Sequence, residues 1–310
     1  MNKTERVAVC SRSFSRNLLL RQELLARYEF VTFNDTGLQM EGEELVAFLK
    51  GHEKAITGLE KLTESVLSNL PELRVVGKYG VGLDMIDMDA MRRYKKSLGW
   101  TGGVNRRSVS EMVVSFAVMM LRHFPVAYRE VLDGNWRQHV GGQLSGKTVG
   151  IVGCGFVGKD LAALLQPWGC RLLSYDILNF PDFYAANNVI PVSLDELLSR
   201  SDIVTLHVPF NASTQNMLSA ERLLLMKSSA ILINTARGNL VDEVALREML
   251  LSGRLAAAAF DVFSVEPPKD MGLLSLKNFF VTPHIGGSSE EAILAMGMAA
   301  IDGLDSSKVL

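Results

Sequence analysis

The sequence contains little cysteine and no cysteine or histidine pattern typical of metal binding. Its three cysteines, Cys10, Cys154 and Cys170, are odd in number and form neither a CxxC pair nor a zinc-ligand spacing. We therefore expect no disulfide framework and no metal site. Free thiols are typical of a reducing environment, which predicts a cytoplasmic location.

Neither sign of charge predominates in the chain. The 32 basic and 34 acidic residues give a formal net charge of -2, whereas nucleic-acid-binding surfaces are usually strongly basic. Arg106 and Arg107 form a local basic pair, but adjacent arginines are more often solvated surface residues. We therefore expect no nucleic-acid partner.

Long apolar runs are also missing. The segment Val113–Leu121 is interrupted by Ser115 and is too short to cross a bilayer. The first residues of the chain lack the uninterrupted apolar core of a secretory signal. These features predict no membrane association.

The composition that remains, 48% hydrophobic and 21% charged residues, is that of an ordinary globular protein. A chain of 310 residues is long for one compact core, which favours two domains.

From residue 148 onward, strand-like apolar runs alternate with helical patterns, as in parallel α/β domains. Six strands are predicted, at Thr148–Val152, Arg171–Tyr175, Ile203–His207, Ala230–Asn234, Ala256–Phe260 and Phe279–Thr282. Helices are predicted between them at Gly158–Trp168, Leu194–Ser199, Ala220–Met226 and Asp242–Leu251. Ser193 and Glu196 form a capping-box pattern before the second helix. Six strands connected in this way suit a complete dinucleotide-binding domain.

The first hundred residues show a less regular α/β pattern and predict a separate small domain, with strands near Arg6–Cys10, Phe30–Phe33 and Leu73–Gly77. A long apolar helix is predicted to begin at Ser108, capped there with Glu111 at the reciprocal position, and to end near Phe124 before Pro125. A short helix opening at Ser288, with Glu291 as a second capping box, is expected to return the chain to the first domain. The dinucleotide-binding domain would then be an insertion.

A GxGxxG motif follows the strand Thr148–Val152 and precedes a predicted helix. Its glycines are Gly153, Gly155 and Gly158, with Phe156 and Val157 between the last two. In this context the first glycine makes the turn, the second admits a pyrophosphate close to the backbone, and the third lets the helix and the strand pack tightly. A bare GxGxxG is weak support for nucleotide binding, but the strand and helix around it strengthen the interpretation.

Asp176 ends the next strand, at the position where a carboxylate can accept hydrogen bonds from the adenosine ribose. The same carboxylate would repel a 2′-phosphate, and Ile177–Asn179 supply no arginine or lysine to neutralise one. The sequence therefore favours NAD over NADP as the cofactor. Taken alone, Asp176 could simply begin a turn.

Three polar segments follow the later strands, where an open parallel sheet presents its ligand crevice: residues 234–238, 261–267 and 283–287. Reduction of a keto acid needs a cation for the carboxylate, a proton for the carbonyl oxygen and a hydride. Arg237, His284 and a nicotinamide could supply these in turn. Glu266 beside His284 would favour the protonated imidazole. Taken singly, each of these residues could lie in an ordinary surface turn.

Several motifs in the same order resemble the D-isomer-specific 2-hydroxyacid dehydrogenase family, and most of all its phosphoglycerate-dehydrogenase-like branch. The motifs are Lys78–Asp84, Asn105 with Ser108–Glu111, the GxGxxG loop, His207–Pro209 and the three strand-end segments. The resemblance implies an α/β protein with two Rossmann-like domains. In it, a doubly wound parallel-sheet NAD-binding domain, residues 104–287, is inserted in a smaller flavodoxin-like substrate domain, residues 1–103 and 288–310.

The resemblance also implies roles for individual residues. Arg237, Glu266 and His284 would form the catalytic group, and Gly80, Val81 and Gly82 would hold the substrate carboxylate together with Arg237 and His284. Beyond the glycine loop and Asp176, cofactor contacts would come from His207, Val208, Pro209, Thr214, Thr235, Ala236, Arg237, Asp261, His284, Gly286 and Gly287. The activity implied is NAD-dependent interconversion of a small D-2-hydroxy acid and its 2-keto acid. A homodimer is implied as well, with the helix from Ser108 at its interface.

The sequence departs from the family pattern in two places. Thr57 stands where the phosphate-binding arginine of phosphoglycerate dehydrogenases would align, which puts phosphoglycerate in doubt as substrate. Residues 95–103 replace an apolar strand followed by Pro-Gly, so we expect a looser backbone there. The chain also ends at Leu310, where no C-terminal regulatory domain is expected.

A second function stays open, because the family resemblance extends to transcriptional corepressors with the same fold and catalytic group. An NAD(H)-sensing interaction protein is therefore the alternative to an enzyme, although no disordered tail for partner recruitment is expected. Oxidation of a one-carbon or phosphorus-centred acid has no supporting motif here.

Overall fold

A computed structural model describes residues 3–309, which form two compact units. Unit 1 contains the described residues up to Asn105 and those from Glu290 onward, and unit 2 contains Arg106–Ser289. Each boundary lies just after the position expected from the sequence.

The elements are numbered in chain order. The strands are β1 Val7–Val9, β2 Val31–Phe33, β3 Lys54–Thr57, β4 Val75–Lys78, β5 Ser97–Gly99, β6 Thr148–Val152, β7 Arg171–Tyr175, β8 Val189–Pro191, β9 Ile203–Leu206, β10 Ile231–Asn234, β11 Ala257–Phe260, β12 Phe279–Val281 and β13 Lys308–Val309. The helices are α1 Arg12–Arg16, α2 Leu18–Leu25, α3 Gly42–Leu49, α4 Glu64–Ser68, α5 Met88–Arg93, α6 Arg106–Leu121, α7 Phe124–Leu132, α8 Phe156–Leu165, α9 Pro181–Ala186, α10 Leu194–Arg200, α11 Ala220–Leu223, α12 Glu243–Leu251, α13 Met271–Leu274 and α14 Glu290–Ser306.

The sheet of unit 1 has the order β13-β5-β4-β3-β1-β2. Its strands β1 to β5 pair in parallel in the order 2-1-3-4-5, which is the flavodoxin-like arrangement, and β13 adds an antiparallel edge. Apolar side chains from strands and helices are buried on both faces of this sheet, as parallel sheets require. The flavodoxin-like fold expected for the smaller domain is confirmed.

Helix α14 lies directly on β4 and β5 in unit 1. A Cβ atom added at Gly99 would stand 2.1 Å from the carbonyl oxygen of Gly303, and one at Gly77 would stand 2.5 Å from that of Ala300. Glycine is therefore required for this approach of backbone to backbone. Within residues 95–103, Ser97–Gly99 form β5, which pairs with β4 and β13, and the looser backbone expected for the whole segment stays a prediction. The returning helix is also much longer than the short one expected.

The sheet of unit 2 has the order β12-β11-β10-β9-β6-β7-β8 and is parallel throughout its described strands. Numbered within the unit, this order is 3-2-1-4-5-6 with one further strand, so the unit is a doubly wound dinucleotide-binding fold. The strands β6 and β7, each of five residues, begin and end where the sequence predicts. The short edge strand β8 was not predicted.

The helices of unit 2 confirm one predicted cap and correct another. Ser193 caps α10, its Oγ accepting a hydrogen bond from the Glu196 amide at 3.2 Å. Ser108 does not cap the long helix, because α6 begins earlier, at Arg106, and the Ser108 Oγ instead donates to the Gly286 carbonyl at 2.6 Å. Helix α6 ends at Leu121, close to the end expected near Phe124, and Pro125 lies in the first turn of the next helix, α7, a position that proline tolerates.

Within residues 3–309, no single helix is long and apolar enough to span a bilayer. Helices α6 and α7 together have the length and apolar composition of a span, but they meet at a bend of 62°. Six side chains of α6 are buried within the protein.

Candidate active site

The polar segments of unit 2 lie at the carboxyl ends of parallel strands that neighbour one another in the sheet. The GxGxxG loop follows β6, Asp176 follows β7, and His207 follows β9. Arg237, Glu266 and His284 follow β10, β11 and β12. This edge is where a doubly wound sheet binds ligands.

The glycine loop has the backbone geometry that the sequence predicts. Gly153 has φ +98°, a conformation that residues with a side chain rarely adopt. A Cβ atom on Gly158 would lie 2.1 Å from the Gly153 carbonyl oxygen, so helix α8 can begin this close to β6 only with glycine there. A Cβ atom on Gly155 would meet no described protein atom within 4 Å. Protein packing does not require this glycine, whereas a pyrophosphate approaching the backbone would.

Asp176 is bound to the glycine loop. Its carboxylate accepts hydrogen bonds from the amides of Cys154 at 2.6 Å and Leu178 at 2.8 Å. A carboxylate offers about four acceptor positions, so capacity is left for ribose hydroxyls. The exposed side chains that follow, Ile177 and Leu178, are apolar and bring no cation for a 2′-phosphate.

His284 and Glu266 form a hydrogen-bonded pair. The Nδ1 atom of His284 lies 2.8 Å from Oε2 of Glu266, and the other carboxylate oxygen accepts the Phe263 amide at 3.1 Å. An ionised Glu266 carboxylate can only accept a hydrogen bond, so the proton in this hydrogen bond is carried by the His284 Nδ1. The Nε2 atom is thereby left for a reacting group, and both side chains are partly exposed.

Asp261 holds the segment that carries His284. Its side chain is 1% exposed and accepts hydrogen bonds from Thr282 Oγ1 at 2.5 Å and from the amides of Ile285 at 2.8 Å and Gly286 at 2.7 Å. The His284 amide donates to the Asp261 carbonyl at 2.9 Å. The sequence predicted a cofactor contact for Asp261, and this positioning function was missed.

Two further contacts fix the segments around the catalytic candidates. The Asn234 side chain accepts the Ala236 amide at 3.1 Å and donates to the Arg237 carbonyl at 2.8 Å, which closes the turn after β10. A Cβ atom on Gly238 would lie 1.8 Å from the Phe263 carbonyl carbon, so the turn carrying Arg237 lies against the segment that leads to Glu266. Sequence reasoning did not identify Asn234 as a functional residue.

Several of the predicted cofactor residues lie along the ends of β9 and β10. Burial lowers the pKa of the His207 imidazole to about 3, so the ring is neutral, with Nε2 3.0 Å from Thr205 Oγ1. Thr214 Oγ1 donates to the Pro209 carbonyl at 2.8 Å and fixes that loop. Thr235 is buried, and its Oγ1 has no hydrogen-bond partner among the described residues. A buried hydroxyl of this kind suits a bound ligand.

These features fit a bound NAD. The glycine loop has open space at Gly155, Asp176 lies at the end of the neighbouring strand, and the buried hydroxyl of Thr235 lacks a protein partner. Val208, Ala236 and Gly287 lie in the same strand-end segments, and their predicted cofactor contacts stay predictions. Residues 3–309 contain no group of three or more histidine, cysteine or acidic side chains placed to bind a metal.

Unit 1 places Gly80, Val81 and Gly82 in a loop at the carboxyl end of β4. Gly80 has φ +118°. Thr57, at the end of the neighbouring strand β3, is 1% exposed and has no hydrogen-bond partner for Oγ1 within residues 3–309. Threonine carries no charge, so Thr57 supplies no cation for a phosphate at this position.

Comparison with known proteins places the chain in a family. Residues 114–286 match the family model described as D-isomer specific 2-hydroxyacid dehydrogenase, NAD binding domain. D-3-phosphoglycerate dehydrogenase of Rattus norvegicus is 35% identical over 83% of this chain and 50% of its own length. The chain thus spans about half the length of the phosphoglycerate dehydrogenases it matches.

Two other relatives match over nearly their whole length. Hydroxypyruvate reductase of Thermotoga maritima is 32% identical over 86% of this chain and 88% of its own. The structure of D-lactate dehydrogenase from Aquifex aeolicus, complexed with NAD and lactic acid, superposes with a TM-score of 0.85 at 25% identity, covering 97% of this chain and 94% of its own. The fold, the family match and these relatives agree: the chain belongs to the D-isomer specific 2-hydroxyacid dehydrogenase family and carries its NAD-binding domain.

Proposed function

We propose that this protein interconverts a small D-2-hydroxy acid and its 2-keto acid with NAD as the oxidant or NADH as the reductant. The observation that carries the proposal is the His284–Glu266 pair at 2.8 Å, on a segment that the buried Asp261 fixes at three points. A pair held in this way is arranged to move a proton at one defined atom, the His284 Nε2.

Each catalytic candidate has a separate task in this reaction. Glu266 accepts the Nδ1 proton, fixes the ring tautomer and stabilises the imidazolium, so that Nε2 donates a proton to the substrate carbonyl oxygen. Arg237 offers a planar fork of donors that binds the carboxylate and polarises the adjacent carbonyl. When NADH is bound, its nicotinamide supplies the hydride. In the oxidative direction, Nε2 accepts the hydroxyl proton instead.

We infer that the substrate is not phosphorylated. The buried Thr57 replaces a cation at the end of β3, and the buried carboxylate of Glu60 follows it closely in the chain. The Nζ atom of the exposed Lys61 lies 4.0 Å from Oε1 of Glu41, so the charge of this lysine is already paired with a carboxylate. Small keto acids such as glyoxylate, pyruvate or hydroxypyruvate suit this environment better than phosphohydroxypyruvate does.

We also propose a homodimer, with an interface other than the one expected. The apolar side chains of α6 are largely buried within its own unit. By contrast, α7 has no buried residue. Helix α7 and the segment that follows it expose six large apolar side chains: Phe124, Tyr128, Val131, Leu132, Trp136 and Val140. A second copy of the chain would cover this surface. Light scattering after gel filtration tests the proposal, and Leu132→Asp should yield monomers.

A spectrophotometric screen of NADH oxidation tests the activity. The substrates are glyoxylate, hydroxypyruvate, pyruvate, 2-ketoglutarate and phosphohydroxypyruvate, each repeated with NADPH. We expect turnover of at least one unphosphorylated acid with NADH, and weak turnover of the phosphorylated one. Tight NADH binding without turnover of any acid would instead favour the NAD(H)-sensing alternative.

A further inference from the structure

The loop Gly80-Val81-Gly82 is held by side chains from neighbouring strands of unit 1. Lys78, the last residue of β4, is 5% exposed, and its Nζ donates to the Gly58 carbonyl at 2.6 Å and to the Tyr79 carbonyl at 3.2 Å. Trp100 follows β5, and its Nε1 donates to the Val81 carbonyl at 3.1 Å. The two donors thus hold two alternate carbonyl groups of the same loop.

Sheet register explains why these two donors meet the loop. Gly77 of β4 pairs with Gly99 of β5, so Lys78 and Trp100 occupy the next position on adjacent parallel strands. Gly58 follows β3 on the other side of β4, and its own amide donates to Glu60 Oε2 at 2.6 Å. The loop is therefore supported from both neighbouring strands.

The held carbonyls determine where two amide groups point. In a planar trans peptide, the carbonyl of one residue and the N–H of the next point in opposite directions, and both peptides here are trans. The Gly80 N–H is therefore directed away from the Lys78 ammonium, and the Gly82 N–H away from the Trp100 indole. Among the described residues, the amides of Gly80, Val81 and Gly82 donate to no protein acceptor.

We propose that Lys78 and Trp100 are positioning residues, which fix the peptide planes of residues 79–82 so that the Gly80 and Gly82 amides form a preorganised site for the substrate carboxylate. The proposal rests on the proposed function for the identity of the ligand. Preorganisation matters because a flexible loop would have to lose conformational entropy when the carboxylate binds.

The test removes one donor at a time. Trp100→Phe keeps an aromatic ring and deletes the indole N–H. Its matched control is Trp168→Phe, since both tryptophans are 41% exposed and Trp168 has no side-chain hydrogen bond within residues 3–309. Lys78→Met keeps the apolar stem of the side chain and deletes the ammonium group.

The loop contacts the carboxylate in the ground state and the transition state alike, so the loss should appear in KM. For Trp100→Phe we expect the KM of the best keto acid, and the dissociation constant of oxamate for the NADH complex by calorimetry, each to rise about five- to tenfold, with kcat changed less than about twofold. NADH affinity and Trp168→Phe should match the wild type. Lys78→Met, where it folds, should show a larger rise.

Three results would overturn the proposal: unchanged KM and oxamate affinity in Trp100→Phe, an equal rise in Trp168→Phe, or a wild-type NADH complex that does not bind oxamate. The calorimetric measurement needs no turnover. A wild type that binds oxamate but reduces no keto acid would therefore contradict the proposed function while the effect of Trp100→Phe still decides the role of the loop.

Discussion

Two glycine loops follow parallel strands in this protein, one in each unit, and side chains hold them in opposite ways. After β6, the acid Asp176 accepts the amide of Cys154 at 2.6 Å. After β4, the donors Lys78 and Trp100 bind carbonyl groups. Each loop begins with a glycine at positive φ, +98° at Gly153 and +118° at Gly80.

The difference follows from what comes next in the chain. Helix α8 begins at Phe156, inside the first loop, so its unpaired amides and its dipole already favour an anion there. The second loop is followed by no helix until α5 begins at Met88. Its amide donors therefore depend on side chains for their orientation. A glycine loop can thus be prepared for an anion by a helix or by donors that hold its carbonyls.

The largest expected effect is on proton transfer, which involves neither glycine loop. His284→Ala should lower kcat for keto-acid reduction by about a thousandfold, because the proton donor is lost, while the NADH dissociation constant stays near the wild-type value. Stopped-flow NADH oxidation and fluorescence titration measure the two quantities. His123→Ala is the control, since both histidines have φ near +56°, +57° for His123 and +55° for His284. Wild-type turnover in His284→Ala would remove it as the proton donor.

The glycine loop after β6 can be tested at two of its positions. Gly155→Ala should weaken NADH binding about tenfold without lowering the melting temperature, because its Cβ atom meets no described protein atom within 4 Å. Gly158→Ala should lower the melting temperature as well, because its Cβ atom would lie 2.1 Å from a backbone oxygen. Equal melting temperatures of the two variants would contradict the expectation that protein packing requires a glycine at residue 158 but not at residue 155.

Asp176→Ala tests the contact between the acid and the first loop. We expect the preference for NADH over NADPH, as a ratio of kcat/KM values, to narrow severalfold, since the charge that repels a 2′-phosphate is gone. Asp182→Ala, an exposed acid in the first turn of α9, controls for net charge. A ratio unchanged from the wild type would exclude Asp176 from cofactor selection.

The smallest effect concerns stability away from both loops. Burial alone would raise the pKa of Asp305, but hydrogen bonds from Lys3, Tyr28 and Lys54 outweigh it and lower the pKa to about 2. The folded state therefore gains stability from this carboxylate above its ordinary pKa of 3.8, and the gain disappears as pH falls towards 2.

Asp305→Asn should accordingly lower the free energy of unfolding by roughly 1–2 kcal/mol near neutral pH, and the difference should shrink below about pH 4. Urea unfolding at several pH values measures it. Oxamate affinity should not change. A difference that persisted at about pH 2 would show that the carboxylate charge is not its cause.

Sequence patterns predicted what depends on local residues. The five-residue apolar strands β6 and β7, the Ser193 cap and the glycine loop each have a signal within a few positions. The three-residue edge strand β8 was missed because Ile190 is half-exposed and Pro191 follows it, so no apolar run marks the strand.

Contacts with distant backbone could not be predicted in this way. Asp261 binds the amides of residues 285 and 286, and Ser108 binds the Gly286 carbonyl. Because these partners are backbone groups, which every residue has, no side chain in the sequence marks them. The burial of Lys78 was missed for the same reason, because its ammonium group binds carbonyls on β3 and β4 loops that only the sheet brings together.

The position of α14 also bears on the order in which the protein folds as it is synthesised. This helix covers β4 and β5 by direct contact with Gly77 and Gly99, and β13 completes the edge of the same sheet. All of unit 2 leaves the ribosome before either element does. Since domains generally fold as units during synthesis, unit 2 can become native first, while one face of β4 and β5 stays uncovered and open to chaperones until α14 and β13 emerge.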